Sequence, residues 1–175
     1  MSSSSRCWFG TFVGSRTPEE RVLPETHRTV EVESGIDRVF DFLANPSNLT
    51  EWWPRVVRIE AIEGVPGQAG LVWTSVVEAD SGRRLRLDYE MVEVDPGTRL
   101  LWEHRLEGTA FGAHLVRQST EVTVAGRDGK ATVDVRLNGE LRGAAKLAGP
   151  SLKSDQKKLL AVALERLAGV FREEV

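Results

Sequence analysis

From about residue 26 to residue 140 the chain alternates apolar and polar side chains, breaks at short intervals, and then changes period once near its end. A segment of period two can bury only one of its faces, so a series of them must form a sheet with something laid against it. The breaks carry explicit turn chemistry: Gly64-Val65-Pro66-Gly67, Asp80-Ser81-Gly82, Asp95-Pro96-Gly97 and Asp128-Gly129. They delimit strands at about 55–63, 70–79, 83–94, 98–107, 114–126 and 129–140. One more strand starts at Thr26, with Arg28, Val30 and Val32 on one face and His27, Thr29, Glu31 and Glu33 on the other. Six of these seven strands follow one another as hairpins, which predicts a mostly antiparallel sheet.

Two short helices separate the first strand from the rest. Ser34 is placed as an N-cap with Asp37 three positions on, and Ile36, Val39, Phe40 and Leu43 repeat at helical spacing. Asn45-Pro46 stops that helix, because the residue before a proline avoids helical geometry, and Pro46 suits the first turn of a second helix reaching about Trp52. After Gly149-Pro150-Ser151 the period becomes 3.6, and Leu160, Ala163, Leu164, Leu167 and Phe171 share a face as far as Arg172. Some twenty helical residues span about 30 Å, enough to cross a curved sheet. The predicted class is α+β: one strand, two short helices, six strands, one long helix.

Size and charge narrow the function. A chain of 175 residues suits one domain with a single core. Its 23 Lys+Arg against 26 Asp+Glu give a net charge of -3 and no cationic stripe, so no nucleic-acid partner is expected. No apolar run reaches the 18 to 20 or so residues of a membrane span, and the start is Ser-rich instead of basic and then apolar. These features predict a cytoplasmic protein without integral membrane association. Cys7 is the single cysteine, and His27, His104 and His114 fall on different segments, so no metal site is predicted. Hydrolase elbows and phosphate-cradling glycine loops are missing too, and no cofactor is expected. Residues 1–25 have no sustained period and read as a flexible extension to a domain at 26–175. The apolar Trp8, Phe9, Phe12 and Val13 within it could be covered by the body of the protein or by a second copy in a homodimer.

The order of elements, together with Val39-Phe40-Asp41-Phe42-Leu43-Ala44-Asn45-Pro46 and Glu51-Trp52-Trp53-Pro54, resembles the START-related helix-grip superfamily (SRPBCC), most closely its polyketide cyclase/dehydrase branch. Gly70-Leu71-Val72-Trp73, the Val94-Asp95-Pro96-Gly97 turn, Arg99-Leu100-Leu101-Trp102-Glu103 and the Leu-rich final helix carry the same likeness, from Thr26 to the C-terminus. The resemblance implies a seven-stranded curved sheet wrapped around the C-terminal helix, with a ligand cavity between them. Members include aromatase/cyclases, lipid carriers, hormone and quinone binders, and chaperone co-activators, so fold alone does not choose among activities.

Strand parity then assigns a concave face. Leu71, Trp73, Ser75 and Val77 are expected there, followed by Leu85, Leu87, Tyr89 and Met91, then Leu100, Trp102, His104 and Leu106. Val116, Gln118, Thr120 and Val122 continue it, and Ala131, Val133, Val135 and Leu137 complete it. A few polar groups among apolar walls suit a small-molecule pocket. The expected ligand-binding set is Trp53, Trp73, Tyr89, Trp102, His104, Phe111, Gln118, Leu160 and Leu164, for a lipid, quinone or polyketide type of molecule. Two alternatives stand beside simple binding. One is a polyketide cyclase or dehydratase using Tyr89 and His104 as acid/base groups; the other is an interaction module working through its surface. The glycine-bounded loop at 108–112 and the Gly/Ala-rich stretch at 141–149 are candidate mouths.

Overall fold

The computed structural model describes residues 25–143 and 149–172, with the backbone alone at 110–111. Trp8, Phe9, Phe12, Val13, the Phe111 side chain and most of the 141–149 stretch lie outside the described residues. The chain runs β1 (Thr26–Val32), α1 (Ile36–Ala44), a 3-10 turn (Pro46–Asn48), α2 (Leu49–Trp52), β2 (Val56–Glu63), β3 (Val72–Glu78), β4 (Arg84–Asp95) and β5 (Arg99–His104). A second 3-10 turn (Ala110–Ala113), β6 (Leu115–Arg127), β7 (Lys130–Leu141) and α3 (Gly149–Arg172) follow. One seven-stranded sheet in the order β1-β7-β6-β5-β4-β3-β2 results, every pair antiparallel. This is the α+β order expected from the periods, in the helix-grip arrangement that the resemblance implies.

Turn chemistry places the hairpins. Asp128 and Gly129 have φ of 55° and 78° between the paired Arg127 and Lys130, the two positive values that a tight hairpin turn needs to match strand twist. Sheet curvature comes from irregularities that alternation does not disclose. Register shifts occur at Met91/Glu93 in β4, at Leu115/Arg117 in β6, and twice in the edge strand β2, where Ala61 has a φ of 48°. Each extra residue bends its strand, and on β2 it also blunts an edge open to pairing.

Two local expectations change. Gly35, not Ser34, is the N-cap of α1, and no side chain caps that helix; Ser34 is buried. In β6 the shift turns Val116 outward, at 43% exposed, and brings Leu115 to the concave side.

The convex face is closed by polar pairs. Thr74 donates to Asp88 at 2.6 Å, Arg86 meets Glu60 at 2.8 Å, and Arg99 bonds Glu121 and Glu93. The concave face holds the core, in which Val122, Val133, Val135, Leu160, Ala163 and Leu167 are fully buried. Phe171 of α3 meets Phe42 of α1 edge-on at 5.3 Å, and Gln156 near the helix start accepts a hydrogen bond from Thr26 of β1 at 3.2 Å. Both ends of α3 are thereby fixed over the sheet.

Candidate functional site: a cavity under the long helix

Between the sheet and α3 lies a cavity of about 760 Å³. It exists because α3 carries two stripes. Leu160, Ala163, Leu164, Leu167 and Phe171 form the solid core. Leu152, Gln156, Leu159, Val162 and Arg166, repeating every three or four residues but rotated by about one residue, roof the cavity. Leu160 and Leu164, expected to bind ligand, are 0% and 2% exposed and face the core, so their place in the wall is taken by Leu159 and Val162.

The floor comes from alternate positions of the middle strands: Trp73, Ser75 and Val77 of β3, Leu87 and Tyr89 of β4, Trp102 of β5, Leu115, Gln118 and Thr120 of β6, and Leu137 and Gly139 of β7. Leu49, Trp53, Pro54, Arg55 and Val56 close one end. Of the predicted binding residues, Trp53, Trp73, Tyr89, Trp102 and Gln118 are therefore brought to one cavity. His104 is buried behind this wall, beside Tyr89.

The aromatic groups are continuous. Trp52 meets Trp53 at 5.0 Å, Trp53 meets Trp102 at 6.4 Å, and Trp102 meets Trp73 at 6.2 Å, each edge to face. Trp73 stacks on Tyr89 at 5.6 Å with 19° between planes, and Tyr89 lies 5.1 Å from the His104 ring. Such pairs add to burial and hold one another's rotamers. Their order follows from register, since Trp73 pairs with Tyr89 and Tyr89 with His104.

Polar groups in this wall are few. Burial raises the Tyr89 phenol above its ordinary value, so it stays protonated. Burial lowers His104 from 6.5, opposed by a hydrogen bond to Gln118 and by the charge of Asp88, so the imidazole is neutral at pH 7. His104 Nδ1 lies 3.4 Å from Gln118 Oε1, a long contact in which the ring donates when its proton is on Nδ1. Trp73 Nε1 and Ser75 Oγ are buried without a hydrogen-bond partner among the described residues. Buried donors left unmet are costly, and a water or ligand oxygen relieves them.

The rim is charged. Arg55, held at a φ of 67°, pairs with Asp80 at 2.7 Å across the mouth, and Asp155, Lys158 and Arg166 stand on the helix side. Sequence periodicity missed these residues because rim charges look like any solvated face. Arg28 points to solvent, and the described residues include no cluster of three or more His, Cys, Asp or Glu suited to a metal ion. None of the described helices is long and apolar enough to cross a membrane.

Residues 24–172 match the family model described as polyketide cyclase / dehydrase and lipid transport. No curated protein sequence matches the chain. Among solved structures, a START superfamily protein from Mycobacterium smegmatis superposes with a TM-score of 0.68 at 14% identity, over 86% of this chain and 99% of that one. The Zhui aromatase/cyclase from Streptomyces sp. R1128 gives 0.69 at 17%, over 85% and 93%. The major latex-like protein 151 of Panax ginseng gives 0.55 at 14%, over 79% and 96%. At these identities the structures share the fold, whereas the family match spans 24–172 of the 175 residues: the chain belongs to the polyketide cyclase / dehydrase and lipid transport family.

Proposed function

We propose that the protein binds a medium-sized hydrophobic or aromatic small molecule, of lipid, quinone or polyketide type, between the sheet and α3. The observation that carries this reading is the cavity itself: about 760 Å³ of space, within the roughly 300–1,000 Å³ common for small-ligand sites. Its walls are mainly aliphatic and aromatic, which favours an apolar body. The phenol of Tyr89, the amide of Gln118 and the unmet donors of Trp73 and Ser75 favour oxygen acceptors on that body. A surface-only interaction module has no use for such a space. Titration with fatty acids, naphthoquinones and aromatic ketones is expected to change tryptophan fluorescence for at least one class. An unchanged signal across all three classes overturns the reading.

A second reading, cyclisation or dehydration of a poly-ketone, is favoured by the Tyr89–His104 pair. Its protonated phenol can donate a proton and its neutral imidazole can support a base, with only the phenol facing the cavity. The aromatase/cyclase relative supports the same chemistry by likeness of fold. Under this reading Tyr89→Phe lowers turnover of a poly-ketone by roughly 100-fold or more with similar substrate affinity, the mark of a lost general acid. Equal turnover in Tyr89→Phe removes the phenol from the chemistry, and no turnover by the parent leaves binding as the function.

A further inference from the structure

One row of inward side chains crosses the sheet at a single height. Register pairs Trp73 with Tyr89 and Tyr89 with His104, His104 contacts Gln118, and Gln118 pairs with Gly139. The first four members are planar groups. The ring spacings of 5.6 and 5.1 Å follow the separation of neighbouring strands. The fifth member has no side chain.

The backbone does not call for glycine at this point. Gly139 lies inside β7, is not among the glycines with positive φ, and sits in a register that runs without a shift from Arg117/Glu140 to Arg127/Lys130. Its neighbours on the same face, Leu137 and Leu141, are buried leucines. A glycine inside a strand gives up side-chain burial and conformational restriction, so what the position gains is room. That room belongs to the cavity, which Gly139 lines with Gln118, Leu137 and Gln156.

We propose that Gly139 is the size-determining contact of the ligand site: a flat edge of the ligand takes the place of the absent fifth side chain, beside the Gln118 amide. With Gln118 Oε1 turned to His104, its amide N–H groups are left to donate, so the edge that enters carries a carbonyl or hydroxyl oxygen. The ligand class is a planar, conjugated molecule with oxygen at its leading edge. This rests on the reading of the cavity as a ligand site.

The test uses the full chain with Gly139→Ala, Gly139→Val and Gly139→Leu, titrated by tryptophan fluorescence with naphthalene, which has no oxygen to lead it to Gln118, and with 1,8-dihydroxyanthraquinone. The two-ring probe is expected to bind all variants within about threefold of the parent. Affinity for the three-ring probe is expected to fall with side-chain volume, by about tenfold or more in Gly139→Leu. Should the leucine variant not fold, the alanine and valine variants give the same graded comparison. Gly139→Ala is expected to melt at or above the parent temperature, since its backbone conformation suits an L side chain and alanine restricts the unfolded chain. Loss of both probes alike, loss of neither, or a fall in melting temperature of Gly139→Ala by more than a few degrees overturns the proposal while the cavity reading stands. A parent that binds neither probe nor any ligand of the three classes above overturns both.

Discussion

At the scale of single residues, the tryptophans divide by burial. Trp102 is 4% exposed and touches both Trp53 and Trp73, so Trp102→Ala empties a core position and is expected to cost about 3–5 kcal/mol of stability in denaturant unfolding. Trp53 is only partly buried. Trp53→Ala is expected to leave a cooperative fold and to weaken an aromatic ligand by about 1–3 kcal/mol in fluorescence titration; unchanged affinity places the ligand away from this end. His104 supplies a pH test. Because burial holds it below 6.5, the unfolded chain takes up a proton there at a higher pH than the folded chain does. Stability therefore falls as pH drops through about 6.5, at up to about 1.4 kcal/mol per pH unit, and levels off once the folded state is protonated too. His104→Gln keeps an amide beside Gln118 and is expected to flatten the melting-temperature profile between pH 7.5 and 5.5. An unchanged slope assigns the effect to other groups. Strand parity made Trp73, Tyr89, Trp102 and Gln118 legible as neighbours, because alternation is strict between bulges. Leu115 was hidden, since one extra residue reverses parity and leaves no mark in hydrophobicity.

At the scale of elements, strands and hairpins were legible because each reversal carries residues suited to positive φ or a fixed proline angle. The ends of α1 were less so: Ser34 looked like a cap, but the chain enters the helix through Gly35 in an extended conformation and buries the serine instead. The two stripes of α3 show the same limit, since a face rich in leucine announces itself and one that mixes Gln156, Leu159, Val162 and Arg166 does not. Their different roles yield a paired prediction. Leu164→Asp places a carboxylate in the packed core, at a cost of several kcal/mol comparable with the stability of a domain, and is expected to give no cooperative unfolding transition. Val162 is 41% exposed at the cavity roof, so Val162→Asp is expected to fold with a melting temperature within a few degrees of the parent while losing affinity for apolar ligands. Equal damage from both changes contradicts the division of the helix into a core stripe and a roof stripe.

At the scale of the whole molecule, the sheet, α1 and α3 enclose one core, and the cavity is the part of that enclosure which side chains do not fill. Among the described residues the strands and helices start at Thr26 and the core runs from Val32 to Phe171, and the family match starts at residue 24. Deleting residues 1–24 is expected to leave the thermal transition within a few degrees of the full chain, with ligand affinity within about twofold. For a domain of this size each 1 kcal/mol moves the midpoint by roughly 2–4 °C. A drop on the order of 10 °C thus corresponds to about 3–5 kcal/mol, the contribution of two or so buried aromatic side chains. That outcome points to Trp8, Phe9 and Phe12 as the side chains to replace singly. A loss of affinity without a loss of stability instead assigns the same segment to the cavity mouth, where β1 begins beside Gln156.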